Sequence, residues 1–178
     1  MSDFIIEDLK HLISSFSPTQ CDFLAENCIV ALENKKHAAG CILRVSGEDP
    51  QEFRLLWTKA VNRAGYRESR KITEKAAEAI SFFLSSQLTD YSVVEEAYIG
   101  TGVDYWLGYE SGHDSYDPLN FMKARMEISG IDHETPTNTL KERVRIKRMQ
   151  TILSDSSGLP AYISVVEFST PKAYFGKK

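Results

Sequence analysis

The sequence predicts an α/β protein, with a four-stranded mixed sheet flanked by helices over residues 71–178. A mostly helical elaboration with one short strand, residues 1–70, precedes it and forms one compact unit with it. Three observations carry this prediction. Apolar residues recur at helical spacing through much of the first ninety positions. From residue 92 onward, short apolar runs alternate with loops rich in Gly, Asp, Ser and Pro. Residues 161–169 form a nearly continuous apolar run, the pattern of a strand buried on both faces. The chain has 178 residues, 42% apolar and 26% charged, which suits one substantial core rather than disorder.

The elements follow in order. Ile5, Leu9, Leu12, Ile13 and Phe16 form a helix stripe over residues 4–16. Ser17-Pro18-Thr19-Gln20 combines an N-cap serine, a proline at the first helical position and a glutamine where a capping box needs one. The helix it opens buries Cys21, Leu24, Cys28 and Leu32. Residues 41–45 alternate apolar positions with Arg44, a short strand. Asp49-Pro50-Gln51-Glu52 reads as a second capping box, opening a helix with Phe53, Leu56, Trp57, Ala60 and Val61 on one face. A basic connector at residues 65–70 leads to a helix over 73–87, with Ile72, Ala76, Ile80, Phe83 and Leu84 inward. Strands are predicted at 92–99, 103–109 and 121–131. Thr139-Leu140-Lys141-Glu142 opens a helix to about residue 153, and the strand 161–169 closes the set.

Charge and cysteine usage bound the function. A formal net charge of −4 means that any nucleic-acid contact must come from a local basic patch. Cys21 and Cys28 share one helix face about 10 Å apart by helical rise, too far to bridge. With three cysteines in all, a reduced, cytoplasmic protein is the expectation. No signal peptide is read at the acidic N-terminus, and residues 79–89 are too short and too polar to span a bilayer.

Two segments carry chemistry. Gly102-Val103-Asp104-Tyr105-Trp106-Leu107 and Ala124-Arg125-Met126-Glu127-Ile128-Ser129-Gly130 each read as an apolar strand holding one carboxylate. A carboxylate in a buried strand is costly unless a metal, a cation or hydrogen bonds compensate it. Neighbouring strands would bring Asp104 and Glu127 to one end of the sheet, the arrangement with which proteins hold a divalent ion for phosphodiester chemistry. Glu74 and Glu78 lie one turn apart on the preceding helix and share a face; the alternative is a solvated pair favouring the helix dipole. On the helix at 139–153, Lys141, Arg145 and Arg148 fall on one face. They form the best nucleic-acid-facing patch in an otherwise acidic chain, or else a solvated exterior or a surface for an acidic protein.

The order helix, strand, strand, strand, helix, strand over residues 71–175, with its two placed acids, resembles the core of the PD-(D/E)xK superfamily. That is the fold of restriction endonucleases and Holliday-junction resolvases. The resemblance implies that Asp104 is the first metal-binding acid and Glu127 the acid of the (D/E)xK motif. It implies Mg²⁺ as cofactor, and Glu74 or Glu78 as the helix acid that some resolvase-like members use. The strings TEKAAEAI, GTGVDYWLG, ARMEISG and PAYISVVEFS are also similar to a group of bacterial proteins with no established activity. One part of the motif departs from the family pattern: Ser129 stands where the lysine belongs. A lysine from elsewhere, Lys123, Lys141 or Lys147, would have to substitute.

The remaining constellations read as ordinary structure. His113, Asp114, Asp117 and Glu110 fall in a Gly/Ser-rich loop and read as turn formers. His133 and Glu134 lack a partner at metal-ligand spacing. One of Tyr105 and Trp106 must face the core. Gly100-Thr101-Gly102 is no phosphate loop, since it precedes a strand. The expectation is a Mg²⁺-dependent, nuclease-like nucleic-acid-binding protein of bacterial defence, repair or a mobile element, weak or silent in isolation. The alternative is a catalytically silent adaptor that keeps the fold for docking a protein partner. No membrane partner is expected.

Overall fold

The structure, a computed structural model, describes residues Met1–Lys178. One mixed sheet runs through the whole molecule. Its strands are β1 (Ser2–Ile5), β2 (Cys41–Gly47), β3 (Gln51–Leu56), β4 (Ser92–Glu96), β5 (Tyr105–Gly108), β6 (Ala124–Ile131), β7 (Ala161–Glu167) and β8 (Lys172–Lys177), in the order β1-β3-β2-β8-β7-β6-β5-β4. The helices are α1 (Leu9–Leu12), α2 (Pro18–Asn34), α3 (Ser69–Leu88) and α4 (Leu140–Gln150). The sheet therefore has eight strands where four were predicted. Residues 69–167 do run helix, strand, strand, strand, helix, strand, with β4 to β7 adjacent in chain order. Strands β4, β5 and β6 pair antiparallel and β6 with β7 parallel.

The N-terminal region corrects the helical reading most. Residues 4–16 do not form one helix: β1 pairs in parallel with β3, followed by a short 3-10 turn and α1. In β1 Phe4 points inward and Ile5 outward, the alternation of a strand, and the 3-10 turn then buries Ile6. Asp49-Pro50-Gln51-Glu52 is the tip of the β2–β3 hairpin, not a helix start, and the Asp49 carboxylate accepts from the Gln51 side chain at 2.6 Å. Phe53 and Leu55 are buried between exposed Glu52 and Arg54, so period two prevails over the cap signal. The capping box at Ser17 is real: its hydroxyl accepts from Gln20 N, and Gln20 Oε1 accepts from Ser17 N. Strand β8 went unpredicted. It pairs antiparallel with β7 and parallel with β2, and so welds the two halves into one sheet.

The two faces of the sheet differ. Helices α2 and α3 cover one face with the main core, in which Phe4 stacks on Phe83 and Phe82 meets Tyr105 edge-on. Tyr105 is thus the inward member of the Tyr105–Trp106 pair. Cys21 and Cys28 lie in this core as free, buried thiols, and burial pushes the Cys28 thiol far above its usual range. On the other face α4 covers a smaller apolar group, Val144 against Ile131, Ile163 and Val165. Residues 125, 127 and 129 of β6 point to this thinner side, and it is here that charge enters the sheet. No helix is long and apolar enough to cross a membrane.

Candidate active site

The site begins where β5 stops short of β6. Asp104 is the residue just before β5, and its N–H still donates to Met126 O at 2.9 Å, continuing the ladder by one step. Beyond that point β6 runs on without a partner on this side. The Asp104 carboxylate fills the gap, its Oδ2 accepting from Ile128 N at 2.7 Å. This places Asp104 opposite Glu127, one register step past the Tyr105–Met126 pair. The two acids thus come to one end of the sheet, close enough for the Asp104 charge to act on Glu127.

Glu127 is almost fully enclosed, at 4% exposure. Burial, and then the neighbouring Asp104 charge, push its carboxyl up to about 7, against the pull of Lys147. Lys147 reaches down from α4 and donates from Nζ to Glu127 Oε1 at 2.5 Å, with its side chain 15% exposed. Lys147, one of the three lysines named as substitutes for the residue at Ser129, thus pairs with this acid from the next helix. Lys123 and Lys141 do not line this cleft. Ser129 is not idle: its hydroxyl accepts from Arg143 Nη1 at 3.2 Å, one helical turn before Lys147.

Helix α3 forms the opposite wall. Its approach is close at Gly130, where an added Cβ would stand 2.5 Å from Thr73 O. Of the two predicted glutamates, Glu78 is the enclosed one, its side chain 15% exposed and bonded to Lys75 at 2.8 Å. Burial raises its pKa, Lys75 and the Tyr105 phenol oppose this, and the Asp104 charge adds to it. Glu74 lines the cleft further out, half exposed and paired with Arg70 at 2.9 Å. The whole opening has a volume of about 870 Å³ and is lined almost entirely by polar and charged groups.

The predicted basic face is turned elsewhere. Lys141, Arg145 and Arg148 line a separate groove of about 1030 Å³ with Glu48, Tyr174 and Lys177. There Arg145 is tied to Glu142 at 2.7 Å, and Arg148 donates to the Tyr174 hydroxyl at 2.6 Å while lying over its ring. The cations of α4 that face the acids are Arg143 and Lys147. Two of the loop residues read as turn formers behave as such: His113 Nδ1 accepts from Ser115 N at 3.0 Å and Asp117 from Leu119 N at 2.9 Å, whereas Glu110 accepts from the distant Ser14 hydroxyl.

No three acidic, histidine or cysteine side chains converge as a ready-made metal cage. The donor set at the centre is two carboxylates with an enclosed glutamate behind them, all hard oxygen ligands. Mg²⁺ is commonly held by one or two carboxylates, with water and substrate phosphate completing its shell, and the Asp104–Glu127 pair fits that pattern. No protein-family model, curated protein or solved structure matches this chain.

Proposed function

We propose that this protein is a metal-dependent, nuclease-like phosphodiesterase of the kind the PD-(D/E)xK resemblance implies, with Asp104 and Glu127 as its Mg²⁺ ligands. One observation carries the reading: a buried and a half-buried carboxylate meet at the open end of β5, with the Lys147 ammonium 2.5 Å from the deeper one. A purely structural acid would be paired and finished. Here two acids press together beside the polar cleft, which Asp104 lines, in an adjoining pocket that both share with Glu78, and their mutual repulsion favours a cation between them.

The chain's own groups divide the work. Asp104 is oriented by its bond from Ile128 N, so its second oxygen is free to face the cleft. Glu127 is held in place by Lys147, whose ammonium carries three N–H donors. Those not spent on Glu127 can orient a water or a phosphate oxygen, the task the family assigns to the lysine absent at Ser129. Glu78 stands behind Asp104 and supplies further negative charge. Bound Mg²⁺ would lower the pKa of a coordinated water and offset charge on the phosphate. Lys147 replaces the lost motif lysine, which revises the expectation of a weak or silent protein toward an active one.

A catalytically silent adaptor is the second reading, favoured by the same Lys147–Glu127 pair, which leaves the acid already neutralised. Cleavage separates the two. The wild type should cut some member of a panel of single-stranded, duplex and branched DNA and RNA with Mg²⁺ or Mn²⁺. Asp104→Asn and Glu127→Gln should abolish cutting, and Lys147→Ala should slow it by about a hundredfold or more. No cleavage of any panel member by the folded wild type would leave the adaptor reading.

A further inference from the structure

Three cations line the acidic cleft, and two of them are spoken for: Arg70 pairs with Glu74 and Lys147 with Glu127. Arg143 pairs with no carboxylate. Its guanidinium is held by neutral acceptors only: Asn138 Oδ1 takes Nε at 3.1 Å and Nη2 at 2.6 Å, and Ser129 Oγ takes Nη1 at 3.2 Å. These three bonds use three of arginine's five N–H donors, so two remain. The side chain is partly buried, which raises the cost of leaving its charge without a counter-ion. Arg143 also sits close to the N-terminus of α4, where the helix dipole disfavours a cation. The carboxylates lining the cleft give Arg143 a diffuse counter-charge, but none of them pairs with it directly. A fixed planar fork with spare donors is the arrangement that recognises an oxyanion.

We propose that Arg143 forms an anion subsite in the cleft, taking a phosphate group of a nucleic-acid strand adjacent to the phosphate that a metal ion at Asp104 and Glu127 would hold. The assignment rests on the proposed function and adds to it the group that sets the strand's path. Lys147 lies one turn further along α4, so the ammonium bound to Glu127 and the Arg143 fork line one cleft with Asp104, from successive turns of the helix. Asn138 and Ser129 are positioning residues: they aim the fork without neutralising it. An acid in either place would spend the charge internally. The serine at the family's lysine position thereby acquires a task, as the neutral rest for a cation borrowed from α4.

The test is binding of a short labelled single-stranded oligonucleotide in EDTA at low salt, read by fluorescence anisotropy. A second arm titrates inorganic phosphate by calorimetry. Arg143→Gln should weaken oligonucleotide binding about tenfold or more and reduce the salt slope by about one. Arg143→Lys keeps the charge without the fork and should recover part of the loss. Mn²⁺ affinity at the acid pair should be unchanged in Arg143→Gln, which separates a lost subsite from a collapsed cleft. Equal affinity of Arg143→Gln and wild type would overturn the assignment, as would a wild type that binds inorganic phosphate but no oligonucleotide. EDTA keeps this outcome independent of catalysis: a wild type that binds the strand through Arg143 yet cuts nothing removes the nuclease reading and leaves the subsite standing.

Discussion

Two buried glutamates on neighbouring strands meet opposite fates. Glu167, at the end of β7, is fully buried, yet its carboxylate accepts from Ser169 N at 2.8 Å and Thr170 N at 2.9 Å, and from both their hydroxyls. Burial pushes its pKa up, but the Ser169 and Thr170 hydrogen bonds together hold it below the usual range. Glu127, on β6, is nearly as enclosed, has one lysine, and faces another acid. Arg125, two residues earlier on the same strand, resembles Glu167: it donates to Leu159 O, Thr151 O, Ser154 and Asp155. Complete local bonding marks a charge that shapes the fold. Incomplete bonding against a like charge leaves an acid with capacity for a ligand, the role proposed for Glu127.

The largest effect expected from this contrast is on stability. Glu167→Ala would leave the turn N–H groups of Ser169 and Thr170 unbonded and should cost about 2–4 kcal/mol in denaturant unfolding. Glu127→Gln should cost less, about 1 kcal/mol, because the relief of repulsion from Asp104 offsets part of the loss of the Lys147 pair. Comparable losses in both variants would erase the distinction. Gly130→Ala comes next. Its Cβ would press on Thr73 O, and displacing α3 should cost about 1–3 kcal/mol and open the cleft wall that carries Glu78.

A smaller effect has opposite signs at the two glutamates. Glu127 is raised from 4.5 to about 7 in the folded chain, so the fold holds its proton more tightly than the unfolded chain does. Its contribution is fully present below about pH 4.5 and is lost as pH rises through about 7. Glu167 is lowered, so its contribution is present above its ordinary pKa and lost as pH falls through the folded value. Unfolding midpoints against pH for Glu127→Gln and Glu167→Gln, each beside the wild type, should diverge in these two directions, by on the order of 1 kcal/mol. The same slope at both sites would contradict the account.

The legible parts of the molecule were those written in local pattern. The Ser17 cap, the amphipathic α3, the paired acids and the apolar β7 each announce themselves within a few residues. What stayed hidden depends on distant partners. Residues 51–56 carry a helix-start signal, yet pair as a strand because β2 and β1 lie beside them. Strand β8 is bounded by lysines at both ends, and its pairing between β2 and β7 makes it a strand. In the site, Asp104 and Glu127 follow from strand pattern, and Lys147 was one of three lysines the missing motif position pointed to. Arg143 escaped notice because its distinction is the absence of an acidic partner, which spacing along the helix does not reveal.

The most direct test of the central claim, that the Asp104–Glu127 pair is kept for a cation, is calorimetric titration of the wild type with Mn²⁺ and Mg²⁺. Asp104→Asn and Glu127→Gln serve as comparisons. The account predicts saturable binding by the wild type that strengthens as pH rises through about 7, where Glu127 sheds its proton, and that is lost in both variants. A wild type that binds neither ion, or that binds as well without either carboxylate, would contradict it.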